Sequence, residues 1–352
     1  MDDTCTAGQE NGSAVFDRDS LMRDLEEKGY TVVPGVLSPD TCDDLVDQIR
    51  QWLDKFVEDS PIDKHNSLTQ QYRVSASPVA WEARLKAKPV FATVWGTEKL
   101  LSSMDGMAIG EPPELGNTRF NNQGETWFHF DQGSWRIGLH AFQGAMYLEE
   151  TTEEDYCFRV IEGSCKVHKE FLDTFQEAKE DCAGEDFYIL KPEYIEWYKN
   201  KGLKEKKVPV PKGGMVLWDS RTVHDNVKPE QNRLHSDRWR FVTFVCMTPA
   251  RWARKKDLEL KKEAFEKMVA TAHWPSQGVW LFPSTSECSK TKHKSLIEMV
   301  DEIPEIAKTR EVRLLVGLDE YDFEDGQPND LGWLPEWSES AKLQVKSSPA
   351  FS

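Results

Sequence analysis

Cysteine is sparse in this 352-residue chain and poorly placed for chemistry: the seven residues, at 5, 42, 157, 165, 182, 246 and 288, are odd in number and never form a Cys-x-x-Cys pair. That scatter excludes the usual structural zinc sites and a thioredoxin-like redox centre, and it fits reduced intracellular thiols. Positive charge is also in deficit, with 44 Lys and Arg against 61 Asp and Glu and a formal net charge of −17. A chain of that sign is repelled by nucleic-acid phosphates and by anionic membrane surfaces. Long apolar runs are missing, and no stretch approaches the roughly 20 residues that span a bilayer. The opening MDDTCTAGQENGSAVF has neither the apolar core of a signal peptide nor the Arg-rich character of a transit peptide. The expectation is a cytoplasmic monomer with neither nucleic-acid nor membrane partners.

What is present divides the chain by texture. Residues 1–17 are polar and Gly/Ser-containing, which predicts a disordered start. A largely helical part follows over 18–115. Leu21, Met22 and Leu25 give a short helix that should stop at Gly29 and feed the β-branched run Thr31-Val32-Val33. Ser38-Pro39 sets a capping hydroxyl before a first-turn proline, with Cys42, Leu45, Val46, Ile49, Trp52, Leu53 and Phe56 at helical spacing. A polar loop is expected from Glu58 to Gln71 and a short helix from Pro89 to Leu101. From about Thr118 short apolar runs broken by Gly, Asp and Asn predict antiparallel strands. These are Arg119–Asn121, Thr126–Phe130, Gly144–Leu148, Phe158–Ile161, Met215–Trp218 and Phe241–Met247. They make a β core over 118–250, interrupted by a helical insertion at 166–207 that is a candidate lid. A charged amphipathic helix over 257–270 and an acidic, turn-rich tail over 319–352 complete the chain, so that 18–318 reads as a single domain.

The chemistry-bearing constellation is His129-Phe130-Asp131 with His224 lying 93 residues beyond the aspartate. Side chains two apart on a strand point the same way, so Trp127, His129 and Asp131 share one face, and a buried His and Asp demand partners that a divalent metal would satisfy together. Two imidazoles and one carboxylate leave three positions open on a non-haem Fe(II) centre. His224 ends the run Gly213-Gly214-Met215-Val216-Leu217-Trp218-Asp219-Ser220-Arg221-Thr222-Val223, a tight turn, an apolar strand and a polar bend. Arg238 and Arg240 then open an otherwise apolar strand. A guanidinium there suits a carboxylate bidentately, and alternation cannot choose between two residues of the same parity.

Several segments together resemble the phytanoyl-CoA dioxygenase-like family of Fe(II)/2-oxoglutarate oxygenases, from about Leu25 to Pro275. They are Gly29-Tyr30 with Val32-Val33, Trp127-Phe128-His129-Phe130-Asp131-Gln132, Gln143-Gly144-Ala145, Leu217 to His224, and the strand opened by Arg240. Glu162-Gly163-Ser164 stands where the family usually has Pro-Gly-Ser-His, a departure on the substrate side. The resemblance implies a mainly β fold with flanking helices, a cupin-like double-stranded β-helix or jelly roll. It implies iron ligation by His129, Asp131 and His224, binding of 2-oxoglutarate by Arg240 with Gln143 as a further contact, and Arg238 as the alternative anchor. Fe(II), 2-oxoglutarate and O2 are then the cofactor and cosubstrates, and succinate and CO2 are released. The expected reaction is hydroxylation, oxidative cyclisation or desaturation of a small molecule. Arg119, Asn121, Trp135 and Arg136 near the expected mouth suggest an anionic, carboxylated or amino-acid-derived substrate. A non-catalytic jelly-roll binding protein, a structural zinc protein, and oxygenases acting on an acyl-CoA or a protein side chain are the alternatives.

Overall fold

In a computed structural model the chain is described over residues 16–55, 68–116, 127–282 and 300–338. The expected strand Arg119–Asn121 lies outside these residues, as do nearly all of the expected disordered start, most of the polar loop after Glu58 and the end of the acidic tail.

Helix α1 (Arg18–Lys28) begins where the Asp17 carboxylate accepts from the Ser20 N–H, and it ends at Gly29, whose φ of 85° requires the left-handed backbone that glycine adopts without strain. The turn delivers the chain straight into β1 (Tyr30–Val33). Helix α2 (Pro39–Asp54) carries the Ser38 cap and the first-turn proline legible in the sequence, and buries Cys42, Leu45, Val46, Ile49 and Leu53. Helix α3 (Pro78–Trp95) corrects the expected short helix at Pro89–Leu101. The start signal lies one motif earlier, with Ser77 accepting from Ala80 N–H and Pro78 in the first turn, while Pro89 sits inside the helix. Leu100 and Leu101 belong instead to strand β3 (Leu100–Ser102), and β2 (Leu68–Thr69) and β4 (Met107–Gly110) flank it in sequence. The part expected to be helical therefore contributes four strands.

Next come β5 (His129–Phe130), β6 (Arg136–Ile137), β7 (Phe142–Tyr147) and β8 (Phe158–Ile161). The insertion holds α4 (His168–Thr174), α5 (Gln176–Asp181), β9 (Tyr188–Ile189), α6 (Pro192–Asn200) and β10 (Glu205–Val208). It is followed by β11 (Met215–Asp219), β12 (His224–Asn226), β13 (Arg240–Pro249), α7 (Lys255–Glu266), α8 (Arg310–Leu315) and β14 (Glu336–Trp337).

The larger antiparallel sheet runs β1-β11-β7-β13-β4-β2, with β3 also on β13, and the smaller runs β10-β8-β12-β5-β9. The two face each other across a core that includes Tyr30, Ala145, Tyr147, Phe158, Val160, Val216, Trp218 and Val242. Alternation on β7 decides the layers: Ala145 and Tyr147 point between the sheets, while Phe142 and Met146 point outward into the core beneath α1, α2 and α3. The outer face of the smaller sheet is covered by α4 and α6 through Phe130, Phe171, Tyr188, Tyr194 and Tyr198. Burying each such side chain contributes about 1.5–3 kcal/mol. One expectation needs correction here. Among the described residues the helices hold more residues than the strands, so the fold is mixed rather than mainly β, and the two facing sheets share no strand and do not close into a barrel. The described part of the acidic tail is docked: Lys99 Nζ bonds Asp325 and Asn329, Tyr321 donates to the Leu100 carbonyl, and β14 pairs with β6.

Candidate metal centre

His129 on β5 and His224 at the head of β12 are direct partners across the antiparallel ladder. Opposed residues present their side chains on one face, and here the two imidazole centroids lie 4.3 Å apart. Asp131 arrives by a different route from the one expected. Of the strand predicted over Thr126–Phe130, the described residues 127–130 are strand at His129–Phe130, and Asp131 sits in the bend beyond it, where its N–H bonds the Ser220 carbonyl at 3.2 Å. The turn that leads to His224 thus also places the carboxylate. Asp131 Oδ1 lies 3.7 Å from His129 Nε2, and Oδ2 lies 3.4 Å from His224 Nε2. One ligand atom from each residue falls within 4.8 Å of the others. Adjacent ligands on an ion with bonds of ~2.0–2.2 Å sit about 3 Å apart, so a small contraction would close the set.

Hydrogen bonding fixes which nitrogens face inward. His129 Nδ1 lies 3.1 Å from the Trp127 carbonyl and His224 Nδ1 lies 2.9 Å from the Thr222 carbonyl. A carbonyl only accepts, so each Nδ1 carries the proton and each Nε2 turns a lone pair toward the cluster. Burial, and then the neighbouring His224, hold the His129 pKa down to about 3, which keeps its imidazole neutral. Burial works against ionising Asp131, but the adjoining imidazoles, His129 foremost, outweigh it and hold its carboxyl well below the usual range. Neutral imidazoles, an ionised carboxylate and shielding from water form a donor set that fits a divalent iron.

The surroundings hold this geometry. Gln143, expected to contact the cosubstrate, donates its amide to Asp131 Oδ2 at 3.1 Å. The Gly29 carbonyl accepts from Asp219 N–H at 3.0 Å and from the Thr222 hydroxyl at 2.9 Å, tying the end of α1 to the turn before His224. Ser220 donates to the Gln132 side chain at 2.8 Å. Trp127 stacks on His129 with centroids 4.3 Å apart and planes 15° from parallel, and Phe187 lies 4.9 Å from the same ring. Trp218 lies 5.1 Å and Phe158 5.5 Å from His224.

The two arginines of equal parity part company. Arg238 donates to Asp155 at 2.8 Å and to Glu150 at 3.1 Å. Arg240 is 5% exposed, and its Nε is buried without a hydrogen-bond partner. No described carboxylate pairs with it. It shares the inward parity of Val242, whose cross-strand partner is Tyr147. The Tyr147 hydroxyl is buried without a good hydrogen bond, its pKa pushed up to about 12 by burial and opposed by the Arg240 charge. Arg136, one of the four residues expected at the mouth, is paired inside the protein. It is 3% exposed, bonds Asp186 through Nε and Nη2 at 2.8 Å each, and lies against the rings of Trp135, Trp274 and Trp337. Arg119 and Asn121 lie outside the described residues. Sequence reasoning missed Tyr147, although it shares the parity of Gln143 on β7, and Phe187, which no periodicity could reveal beside a two-residue strand.

Two facing antiparallel sheets with a two-histidine, one-carboxylate cluster between them define the class, the non-haem iron, 2-oxoglutarate-dependent oxygenases. Within that class the model of the phytanoyl-CoA dioxygenase (PhyH) family matches residues 25–226, and the chain belongs to that family. It is a dioxygenase that uses iron, 2-oxoglutarate and O2. It is 27% identical over 288 residues to "Ava biosynthesis cluster protein O" of Aspergillus versicolor, a match that covers 76% of this chain and 89% of that protein. Among solved structures it is similar to the non-heme alpha ketoglutarate dependent carbocyclase SnoK from nogalamycin biosynthesis, at a TM-score of 0.44 and 18% identity, covering 77% of this chain and 97% of that one. It is also similar to iron-bound EctD from S. alaskensis, at a TM-score of 0.46 and 14% identity, covering 71% and 82%. No helix among the described residues is long and apolar enough to cross a membrane.

Proposed function

We propose that His129, Asp131 and His224 hold the ferrous ion by one face, and that Arg240, assisted by Tyr147, receives the distal carboxylate of 2-oxoglutarate. The observation that carries the reading is the pair of imidazoles whose Nδ1 protons are committed to backbone carbonyls, which leaves two Nε2 lone pairs and one ionised carboxylate turned to a common point. When bound, the iron couples decarboxylation of 2-oxoglutarate to succinate and CO2 with oxidation of a C–H bond by O2.

The chain's own residues bind, orient and exclude. Gln143 fixes the Asp131 carboxylate so that its two oxygens serve different imidazoles. Arg240 is a charge buried without a counter-ion among the described residues, which favours an incoming carboxylate that would pair with it bidentately. Trp127, Phe158 and Trp218 keep bulk water from the imidazoles, and the substrate's placement against the metal then selects hydroxylation, ring closure or desaturation. The scaffold reads as a flattened double-stranded β-helix forming one catalytic domain over 18–318, with the tail docked on it. The fungal relative, named for a biosynthesis cluster, supports a small-molecule substrate of secondary metabolism.

Anaerobic addition of Fe(II) and 2-oxoglutarate should produce the weak visible charge-transfer band of the chelate, and His129→Ala should abolish it. A structural zinc protein would ignore 2-oxoglutarate. A non-catalytic binding protein would never release succinate with any substrate.

A further inference from the structure

The smaller sheet ends at β9, and this free edge continues the wall that carries the metal ligands. Ile189 is the cross-strand partner of His129, so the two side chains share the inner face, and Phe187 shares the parity of Ile189. Their neighbours Tyr188 and Leu190 take the opposite face and are buried under the insertion helices. Phe187 and Ile189 are 44% and 48% exposed, large apolar side chains that the larger sheet does not cover. Phe187 also lies 6.5 Å from Trp127, completing with His129 a continuous aromatic shelf that runs outward from the cluster.

Several of the described guanidiniums are already committed. Arg136 is bound to Asp186, Arg159 to Asp225, Arg221 to Asp219 and Arg238 to Asp155. Arg240 is assigned above to the cosubstrate. An anionic substrate laid on this shelf would lose hydration without gaining a described guanidinium, whereas a planar apolar body would gain ring contacts and bury exposed hydrocarbon.

Resting on the metal assignment above, we infer that the substrate is a neutral, aromatic or polycyclic small molecule whose planar body lies on Trp127, Phe187 and Ile189 and presents its edge to the metal. Phe187 is the specificity-determining residue of that shelf.

A matched pair of probes tests it: 2-naphthol, neutral at physiological pH, and 2-naphthoate, its anionic counterpart. Each is titrated anaerobically into the protein loaded with Fe(II) and 2-oxoglutarate while perturbation of the charge-transfer band is followed. 2-Naphthol should bind roughly tenfold or more tightly than 2-naphthoate. Phe187→Ala should weaken it by about three- to tenfold, the scale of one ring contact, with Phe187→Leu falling between. Phe187→Arg should reverse the preference toward 2-naphthoate. Phe187 is half exposed but lies 4.9 Å from the His129 ring, so the band is titrated in each variant before any probe is added and probe affinities are compared at equal loading. Equal or tighter binding of 2-naphthoate to the native protein, unchanged 2-naphthol binding in Phe187→Ala, or no response to either probe at millimolar concentration would overturn the inference. Absence of the band before any probe is added would instead strike the metal assignment.

Discussion

Replacing Arg240 by Leu should move cosubstrate affinity and protein stability in opposite directions. The guanidinium is buried, no described carboxylate pairs with it, and its Nε has no partner, so the folded protein bears its desolvation uncompensated. Exchanging such a charge for a hydrocarbon of similar volume is neutral or stabilising by about 1–4 kcal/mol, whereas losing one partner of a satisfied buried pair costs about 3–5 kcal/mol. With 2-oxoglutarate bound, the same change removes two charge-assisted hydrogen bonds of about 1.5–3 kcal/mol each. That is about 3–6 kcal/mol, or roughly a 10²- to 10⁴-fold weaker dissociation constant. The assay is a pair of measurements: anaerobic titration of the charge-transfer band with 2-oxoglutarate, and urea unfolding of the protein without cosubstrate. Arg238→Leu is the internal control. Its guanidinium is bonded to Asp155 and Glu150, so it should lose stability and keep its 2-oxoglutarate affinity. The reasoning fails if Arg240→Leu unfolds several kcal/mol more easily while binding 2-oxoglutarate as before, because Arg240 would then be a structural cation.

Gln143→Leu should weaken Fe(II) binding about 10- to 100-fold by freeing the Asp131 carboxylate, read by competition with a chelator, and unchanged affinity would remove Gln143 from the site. Ser164→Ala leaves the buried Val223 N–H without its acceptor, so about 1–3 kcal/mol of stability should be lost in urea melts, together with iron affinity, since His224 follows directly. Lys261 is buried against the Ser102 carbonyl, and burial, seconded by the Arg84 charge, lowers its pKa to about 7 from 10.5. The unfolded chain therefore binds more protons between those values, and stability rises as pH climbs through that window. Lys261→Met should accordingly gain most over the native protein at about pH 6 and least at about pH 10, and a pH-independent difference in urea midpoints would contradict the assignment.

How much of this was legible in the sequence depended on the scale of the signal. The caps at Ser38 and Gly29 were readable because a cap is a local hydrogen bond with a short residue signature. The convergence of the two histidines and the aspartate was readable because a buried His and Asp demand partners. The strands β2, β3 and β4 were not, since two to four apolar residues are equally consistent with the flank of a helix and acquire strand geometry only by pairing with β13 or with one another. Arg136 misled for a similar reason: its partner Asp186 is 50 residues away, and nothing local announces that a guanidinium will be enclosed by three tryptophans. Alternation gave Arg238 and Arg240 the same face as well, and only the distant carboxylates bonded to Arg238 tell the two apart.

The short turn Asp219–Val223 explains how His129, Asp131 and His224, so far apart in sequence, come to one point. Its Asp219 N–H and Thr222 hydroxyl are bonded to the end of α1, its Ser220 carbonyl holds the Asp131 N–H, its Ser220 hydroxyl holds Gln132, and its Val223 N–H is held by Ser164. The Thr222 carbonyl then orients His224 itself. One turn thus fixes the second imidazole directly and the carboxylate through the backbone, while the ladder between β12 and β5 fixes the first imidazole relative to the second. Gly163 and Ser164 are the parts of the Glu162-Gly163-Ser164 segment that survive from the family's usual Pro-Gly-Ser-His, and the place of Ser164 in this network gives a physical reason for its presence. The residues lost from that motif are not needed to hold the turn. The departure can therefore alter the surroundings of the substrate without loosening the cluster of His129, Asp131 and His224.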